Sequence, residues 1–346
     1  MVDATTWPLW LQFGGFFSAA AVIAWSGTQL AGFGDRLADR TGLGEAVTGA
    51  LFLGLTTALP GLTASITAAL DGRPALAISN AIGGIAIQTT FLAAGDVVLP
   101  KANLEHAAAS VTNMIQTTIL VILLTLVLLG LTGPDVTLGH IHPMTILLFL
   151  VVGASFWLVY RSSLEPMWRP KETPWTVPDV PETAHRRESL TKLLLGFLGN
   201  GVVVIAAGFL VARTSGSLAD ATGISETVAG GLFSGVATSL PELVTTVAAV
   251  RRGALTLAVS DIVGGNFFDV LFVFAADLVY LGGSLYHGGA VGGRAAFLTA
   301  LAILLNLVLL LGLLFRQREG PANIGFESVL ILLLYLGGFL TLSFGM

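Results

Sequence analysis

LADRTGLGEAVTGALFLGLTTALPGLTASITAALDGRPALAISNAIGGIAIQTTFLAAGD (Leu37–Asp96) and LADATGISETVAGGLFSGVATSLPELVTTVAAVRRGALTLAVSDIVGGNFFDVLFVFAAD (Leu218–Asp277) are one segment written twice. They align without a gap at a constant offset of 181 and are identical at 25 of 60 positions. Similarity of that extent marks a shared structural unit. The copies carry most information where they differ: Gly61 stands opposite Glu242, Asn80 opposite Asp261, and Gln88 opposite Asp269.

Around this duplication the chain is 54% hydrophobic and only 11% charged, with a mean hydropathy of +0.86. A soluble domain carries about 25% charged residues. Apolar runs of about 20 residues follow one another to the end of the chain, the length that crosses a bilayer as a helix. The runs are continuous rather than alternating, which argues against strands. The expected fold class is therefore an all-α membrane protein. Ten transmembrane helices are read at 10–32, 42–69, 74–98, 105–131, 143–161, 190–213, 223–250, 254–282, 290–315 and 325–344. No cysteine is present, which excludes disulfides and thiolate metal sites. No basic region precedes the first apolar run, so no cleavable signal is expected.

One hydrophilic stretch, 162–189, is charged and contains five prolines. It cannot continue a helix and is too short for a folded domain. It divides the chain into a first five-helix repeat (1–161) and a second (190–346). With alternating spans, 13 of the 16 lysines and arginines fall on one side and only Arg73, Arg213 and Arg294 on the other. The richer side should be cytoplasmic, placing the linker inside and both termini outside. An odd number of spans per half makes the second repeat enter from the opposite face. The expectation is thus two inverted five-helix repeats, an architecture of alternating-access transporters.

Pro60 and Pro241 lie within matching apolar spans. Proline removes a backbone donor and clashes with the carbonyl four residues back, so both spans should break near the bilayer midplane. Freed carbonyls there are oxygen ligands for hard cations; a structural kink is the bland reading. Glu242 follows Pro241 directly, and a carboxylate at helix centre costs about 2.5–3.5 kcal/mol, which marks it as functional. Asp261 follows beyond the turn at Arg252–Gly253, with each acid about 14 Å from that turn at 1.5 Å per residue. Counting along the helices puts the two at similar depth and brings position 61 near Asn80. Thr57, Thr238 and Ser239 precede the prolines and offer backbone or hydroxyl oxygens, or bond back into their own helices. Ser79, Gly83, Gly84, Ser260, Gly264 and Gly265 permit close helix approach or serve the site. Asp269, eight residues beyond Asp261, is expected outside the first shell, as an access-path or proton-relay residue or a helix-bonded aspartate. Asp96 and Asp277 match between the copies and are expected to cap or contact neighbours. Glu45 and Glu226 fall in first helical turns, where the dipole favours a carboxylate.

Leu51–Gln88, with its TALPGL, and the stretch at about 232–271, with its TSLPEL, resemble the two α-repeats of the cation/calcium antiporter superfamily. The resemblance covers essentially the whole chain. It implies an ion site built from spans two, three, seven and eight. It also implies cation-binding roles for Glu242, Asp261 and Asn80, with Glu242 and Asp261 the metal-ligating carboxylates, and carbonyl ligation at Thr57 and Thr238. Members that move calcium generally carry an acid in both LPE motifs; Gly61 is the altered site position.

The function expected is secondary cation antiport, with calcium exchanged for sodium or protons. Two carboxylates can balance a divalent charge, while the lost one fits sodium/proton exchange equally well. A non-transporting membrane ion sensor is a further alternative. The partners expected are inorganic cations and the lipid bilayer, in a bacterial or archaeal plasma membrane, without nucleic acid and without a cofactor. None of the five histidines forms an HExxH pattern, and no enzyme is expected.

Overall fold

The computed structural model describes residues 4–41, 57–99, 103–108, 110–164, 168, 170–171, 188–252, 255–318, 320 and 324–344. These residues form helices and one isolated β-bridge, Leu138–Ile141. The long helices are α1 (Leu9–Thr41), α2 (Leu59–Leu70), α3 (Pro74–Val98), α4 (Val111–Thr132), α5 (Pro143–Leu164) and α6 (Leu190–Thr222). They continue as α7 (Glu226–Thr238), α8 (Leu240–Arg252), α9 (Leu255–Val279), α10 (Gly293–Phe315) and α11 (Phe326–Phe344). Among the described residues eight helices are long and apolar enough to cross a membrane, or nine with α7 and α8 taken as one bent span. In a bilayer only internally hydrogen-bonded backbone is viable, and these helices meet that demand. The first part of the second expected span (42–56) and most of the 162–189 linker lie outside the described residues.

Local chemistry sets the boundaries. Pro74 starts α3 just after Gly72, whose positive φ of 73° makes the tight turn from α2. Ser110 caps α4 by accepting from the Asn113 N–H at 3.0 Å. The fourth span thus begins later than the expected residue 105, after a separate turn at Leu104–Ala107. Two helices run further than expected. α1 and α6 are 33 residues each, about 50 Å at 1.5 Å per residue. The hydrophobic core is about 30 Å, so such helices tilt or project from it.

The helices sort by burial. Of the most apolar windows, 83% of α3 and 72% of α9 is buried, against 33% of α1 and 28% of α6. α3 and α9 therefore form the centre, and α1 and α6 pack along each other at its edge. Small residues set the contact of this edge pair with α2 and α8. A Cβ at Gly208 of α6 would fall 2.6 Å from the Pro60 carbonyl oxygen of α2, and one at Gly27 of α1 would collide with the Pro241 ring of α8. Two aspartates pin helix ends. Asp96 accepts from the N–H groups of Leu104 (2.8 Å) and Gly325 (2.7 Å). Asp277 accepts from those of Leu285 (2.9 Å) and His142 (2.9 Å).

Candidate functional site

The α7–α8 span is broken where the sequence places Pro241. α7 ends at Thr238, the chain turns at Ser239, and α8 leaves at 47°. Within α7, Ala229–Ser234 forms a π-helical stretch, a local widening often found at functional sites. Its glycines let it press backbone to backbone on α3: a Cβ at Gly83 would overlap the Gly231 carbonyl, and one at Gly235 would lie 2.8 Å from the Gly84 nitrogen. Pro60 occupies the first turn of α2, where its missing N–H costs no hydrogen bond.

These elements enclose a small polar gap lined by Thr57, Ala58, Gly61, Asn80, Gly84, Gln88, Thr238, Ser239, Glu242, Asp269 and Phe272. Glu242 and Asp269 are each 2% exposed. Thr57 is hydrogen-bonded to Glu242. The Gln88 amide donates to Asp269 Oδ2 at 2.6 Å and to Ser239 Oγ at 3.1 Å. Glu242 Oε2 and Gln88 Oε1 are buried without a hydrogen-bond partner. Buried acceptors in that state cost about 1–3 kcal/mol or more, and a cation offsets that cost directly. Gly84 leaves room for the arrangement, since a Cβ there would sit 3.2 Å from Asp269 Oδ2.

The expected residues separate into two groups. Thr57, Thr238, Ser239, Glu242 and Asn80 gather at the gap. Asn80 is tied up within it: its amide donates to the Gly61 carbonyl (3.0 Å) and Ser65 Oγ (2.8 Å), and its oxygen accepts from Ser234 (2.6 Å). It fastens α3 to α2 and α7. Thr238 bonds back to the Ser234 carbonyl at 2.9 Å. Asp261 is not among the lining residues; it accepts from Thr245 at 2.9 Å. Asp269, expected outside the first shell, lines the gap instead. Counting residues from the α8–α9 turn fixes depth along each helix and does not say which face of α9 meets the gap. Gln88 and Phe272 went unassigned. The Gln88–Asp269 match at offset 181 was the available signal for the first, as was Glu242–Asp269 against Gly61–Gln88, each 27 residues apart.

The chain matches the family model for sodium/calcium exchanger protein over residues 11–161 and 192–345. CaxA of Alkalimonas amylolytica is 25% identical over 318 residues, covering 91% of this chain and 93% of that protein. The crystal structure of the H+/Ca2+ exchanger CAX superposes with a TM-score of 0.69 at 14% identity, over 95% of this chain and 82% of that one. The sodium-calcium exchanger NCX_Mj gives 0.61 at 18% identity, over 95% and 98%. The chain belongs to the sodium/calcium exchanger family, a family of membrane transporters and not of enzymes.

Proposed function

We propose that this family member is a secondary active cation antiporter that exchanges calcium for sodium or protons by alternating access. The observation that carries the reading is the buried pair Glu242 and Asp269, brought together at a helix break in a gap that also holds the unpartnered oxygens of Glu242 and Gln88. Hydroxyls of Thr57 and Ser239, the Gln88 carbonyl and the carbonyls freed around Ser239 complete an oxygen-rich shell of the kind hard cations take. Asn80 and Thr238 shape it, and Asp261 serves from outside the gap, toward the α8–α9 turn.

In this reading ten spans form two inverted five-helix repeats, 1–161 and 190–346, with the cytoplasmic linker 162–189 between them and both termini outside. Two contacts support the symmetry beyond the aligned segment. Gly27 on Pro241 and Gly208 on Pro60 are related by the same offset of 181. So are the two anchors, Asp96 to Leu104 and Asp277 to Leu285. A pair of repeats crossing over in this way gives each outer helix a contact on the other half's broken span. Movement of α1 and α6 over that contact is the alternating step.

A monovalent reading has an observation of its own. Where a second LPE glutamate would stand, Gly61 is covered by the Phe272 ring, 2.6 Å from the position of a Cβ. The gap therefore holds two carboxylates and an apolar wall, which suits sodium/proton exchange. Proteoliposomes with an imposed sodium or pH gradient decide between them. Gradient-driven uptake of radioactive calcium, abolished by Glu242→Gln, supports calcium antiport. Sodium flux without calcium flux assigns the monovalent reading, and ion binding without flux rejects both.

A further inference from the structure

Away from this gap, at the junction of α3, the Leu104–Ala107 turn and the start of α11, three acids are buried together. Asp96, Glu105 and Glu327 are each 0% exposed. Asp96 is satisfied by two backbone N–H groups. Glu105 and Glu327 are within hydrogen-bonding reach of each other, and no other residue donates a hydrogen bond to any of their four carboxyl oxygens. Two basic groups on the surrounding elements have carbonyl partners, although Arg316 Nε is buried without one. His106 Nδ1 lies 2.8 Å from the Arg316 carbonyl, and Arg316 donates to the carbonyls of His106 and Lys171. Glu327 is fitted closely, since a Cβ at Gly312 of α10 would fall 2.7 Å from its Cγ.

The opposite end of the duplicated unit shows what this position requires. At offset 181, Leu104-Glu105-His106 becomes Leu285-Tyr286-His287. Beside Asp277 the Tyr286 hydroxyl lies 3.3 Å from Thr145 Oγ1, which donates to Asp277 Oδ2 at 2.6 Å. There the anchoring aspartate is surrounded by neutral O–H groups. Here the equivalent neighbour is a glutamate, which supplies an O–H only when protonated. Two adjacent buried carboxyls cannot both ionise without a large penalty.

We propose that Glu105 and Glu327 hold one shared proton, and that this proton latches the 103–107 turn to the start of α11. The latch also rests on Asp96, which holds the N–H groups of Leu104 and Gly325 together, while the Asn103 N–H and side chain tie the turn to the end of α10 through the carbonyls of Arg318 (3.2 Å) and Gln317 (2.8 Å). Losing the proton leaves adjacent buried negative charges beside Asp96 and drives the turn and α11 apart. Burial first, then the charges of Asp96 and Glu327, push Glu105 well above the ordinary glutamic acid range. A group whose folded pKa is raised stabilises fully below its unfolded pKa, about 4.3. That stability is lost as the pH rises toward the folded value.

The test is thermal unfolding of the full-length purified protein from about pH 5 to about pH 9, a range above the unfolded glutamate pKa. The wild type should lose stability on going alkaline. Glu105→Gln, whose amide donates at every pH, should flatten that decline and exceed the wild type at the alkaline end. Infrared spectroscopy of the Glu242→Gln/Asp269→Asn protein should show a protonated carboxyl band near neutral pH, removed by further Glu105→Gln or Glu327→Gln substitution. This measurement stands even where Glu105→Gln alone fails to fold, because the band must be present before the pair is altered. Parallel pH profiles, or no such band, overturn the proposal. Stabilisation by calcium chloride that depends on Glu105 overturns it too, since the cluster would then hold a metal ion.

Discussion

At the scale of single residues, the contact between Gly61 and Phe272 decides what the site can hold. A glutamate at 61 needs the space the ring occupies, 2.6 Å from its Cβ. Forcing it in costs about 1–3 kcal/mol, as overpacked cores do. Gly61→Glu alone should therefore lower thermal stability and impair transport. Gly61→Glu with Phe272→Ala frees the volume and places a third carboxylate beside Glu242 and Asp269. The double variant should bind calcium at least tenfold tighter than Phe272→Ala alone, by calorimetry. Equal affinities would show that position 61 does not face the cation. Half of this was legible in the sequence. The duplicated segment exposed Gly61 as the odd residue, because only a partner copy reveals a missing acid. Phe272 was not, since it arrives from α9 and no spacing along α2 points to it. Asp269 was expected outside the gap for a related reason: residue counting gives distance along a helix and is blind to which face meets the neighbouring elements.

At the scale of elements, the site depends on how closely α3 and the π stretch of α7 approach. Gly83 meets Gly231, Gly230 meets the Leu76 carbonyl, and Gly235 meets the Gly84 nitrogen. These are backbone contacts, and no flexible side chain is present to yield. The sequence showed small residues on these spans without distinguishing packing from ligation. The structure divides the tasks, with Gly83 carrying the backbone contact and Gly84 clearing space for Asp269. Adding a methyl at Gly83 must push α7 away from α3, and Ser234 then loses its 2.6 Å bond to Asn80. Gly83→Ala should lower the unfolding temperature by several degrees, as a loss of about 1–3 kcal/mol does, and should reduce flux together with it. Gly153→Ala, on the exposed face of α5 with nothing within 4 Å of its Cβ, should change neither. Equal effects from both variants would remove the close approach from the account.

At the scale of the whole molecule, the proposed alternating step moves the outer pair α1 and α6 against the buried centre, and one set of ion pairs lies at that boundary. Asp71 at the α2–α3 turn pairs with Arg213 of α6 at 2.6 Å, and Arg73 pairs with Asp220 of α6 and with Glu226 of α7 at 3.1 Å. The Asp220 hydrogen bond raises the Arg73 pKa further, so this guanidinium keeps its charge. The membrane-spanning helical class and the duplication were readable from the sequence. These pairs were not, because Arg73 lies 147 residues from Asp220 and its charge gave no sign of its partner. Each pair is partly exposed and worth at most about 1 kcal/mol, but the two made by α6, Asp71–Arg213 and Arg73–Asp220, must part together if α6 slides past the turn. We predict that they favour the state closed at this end, a bias that can be measured. Arg73→Ala should release that bias. The chain has no cysteine, so a single Ala58→Cys at the gap reports access to a membrane-impermeant thiol reagent added from the α2–α3 side. Labelling should rise several-fold in Arg73→Ala. High salt, which screens exposed pairs, should raise it in the otherwise unaltered protein. Labelling unchanged by both treatments would mean that these pairs hold the turn in place without governing access to the site.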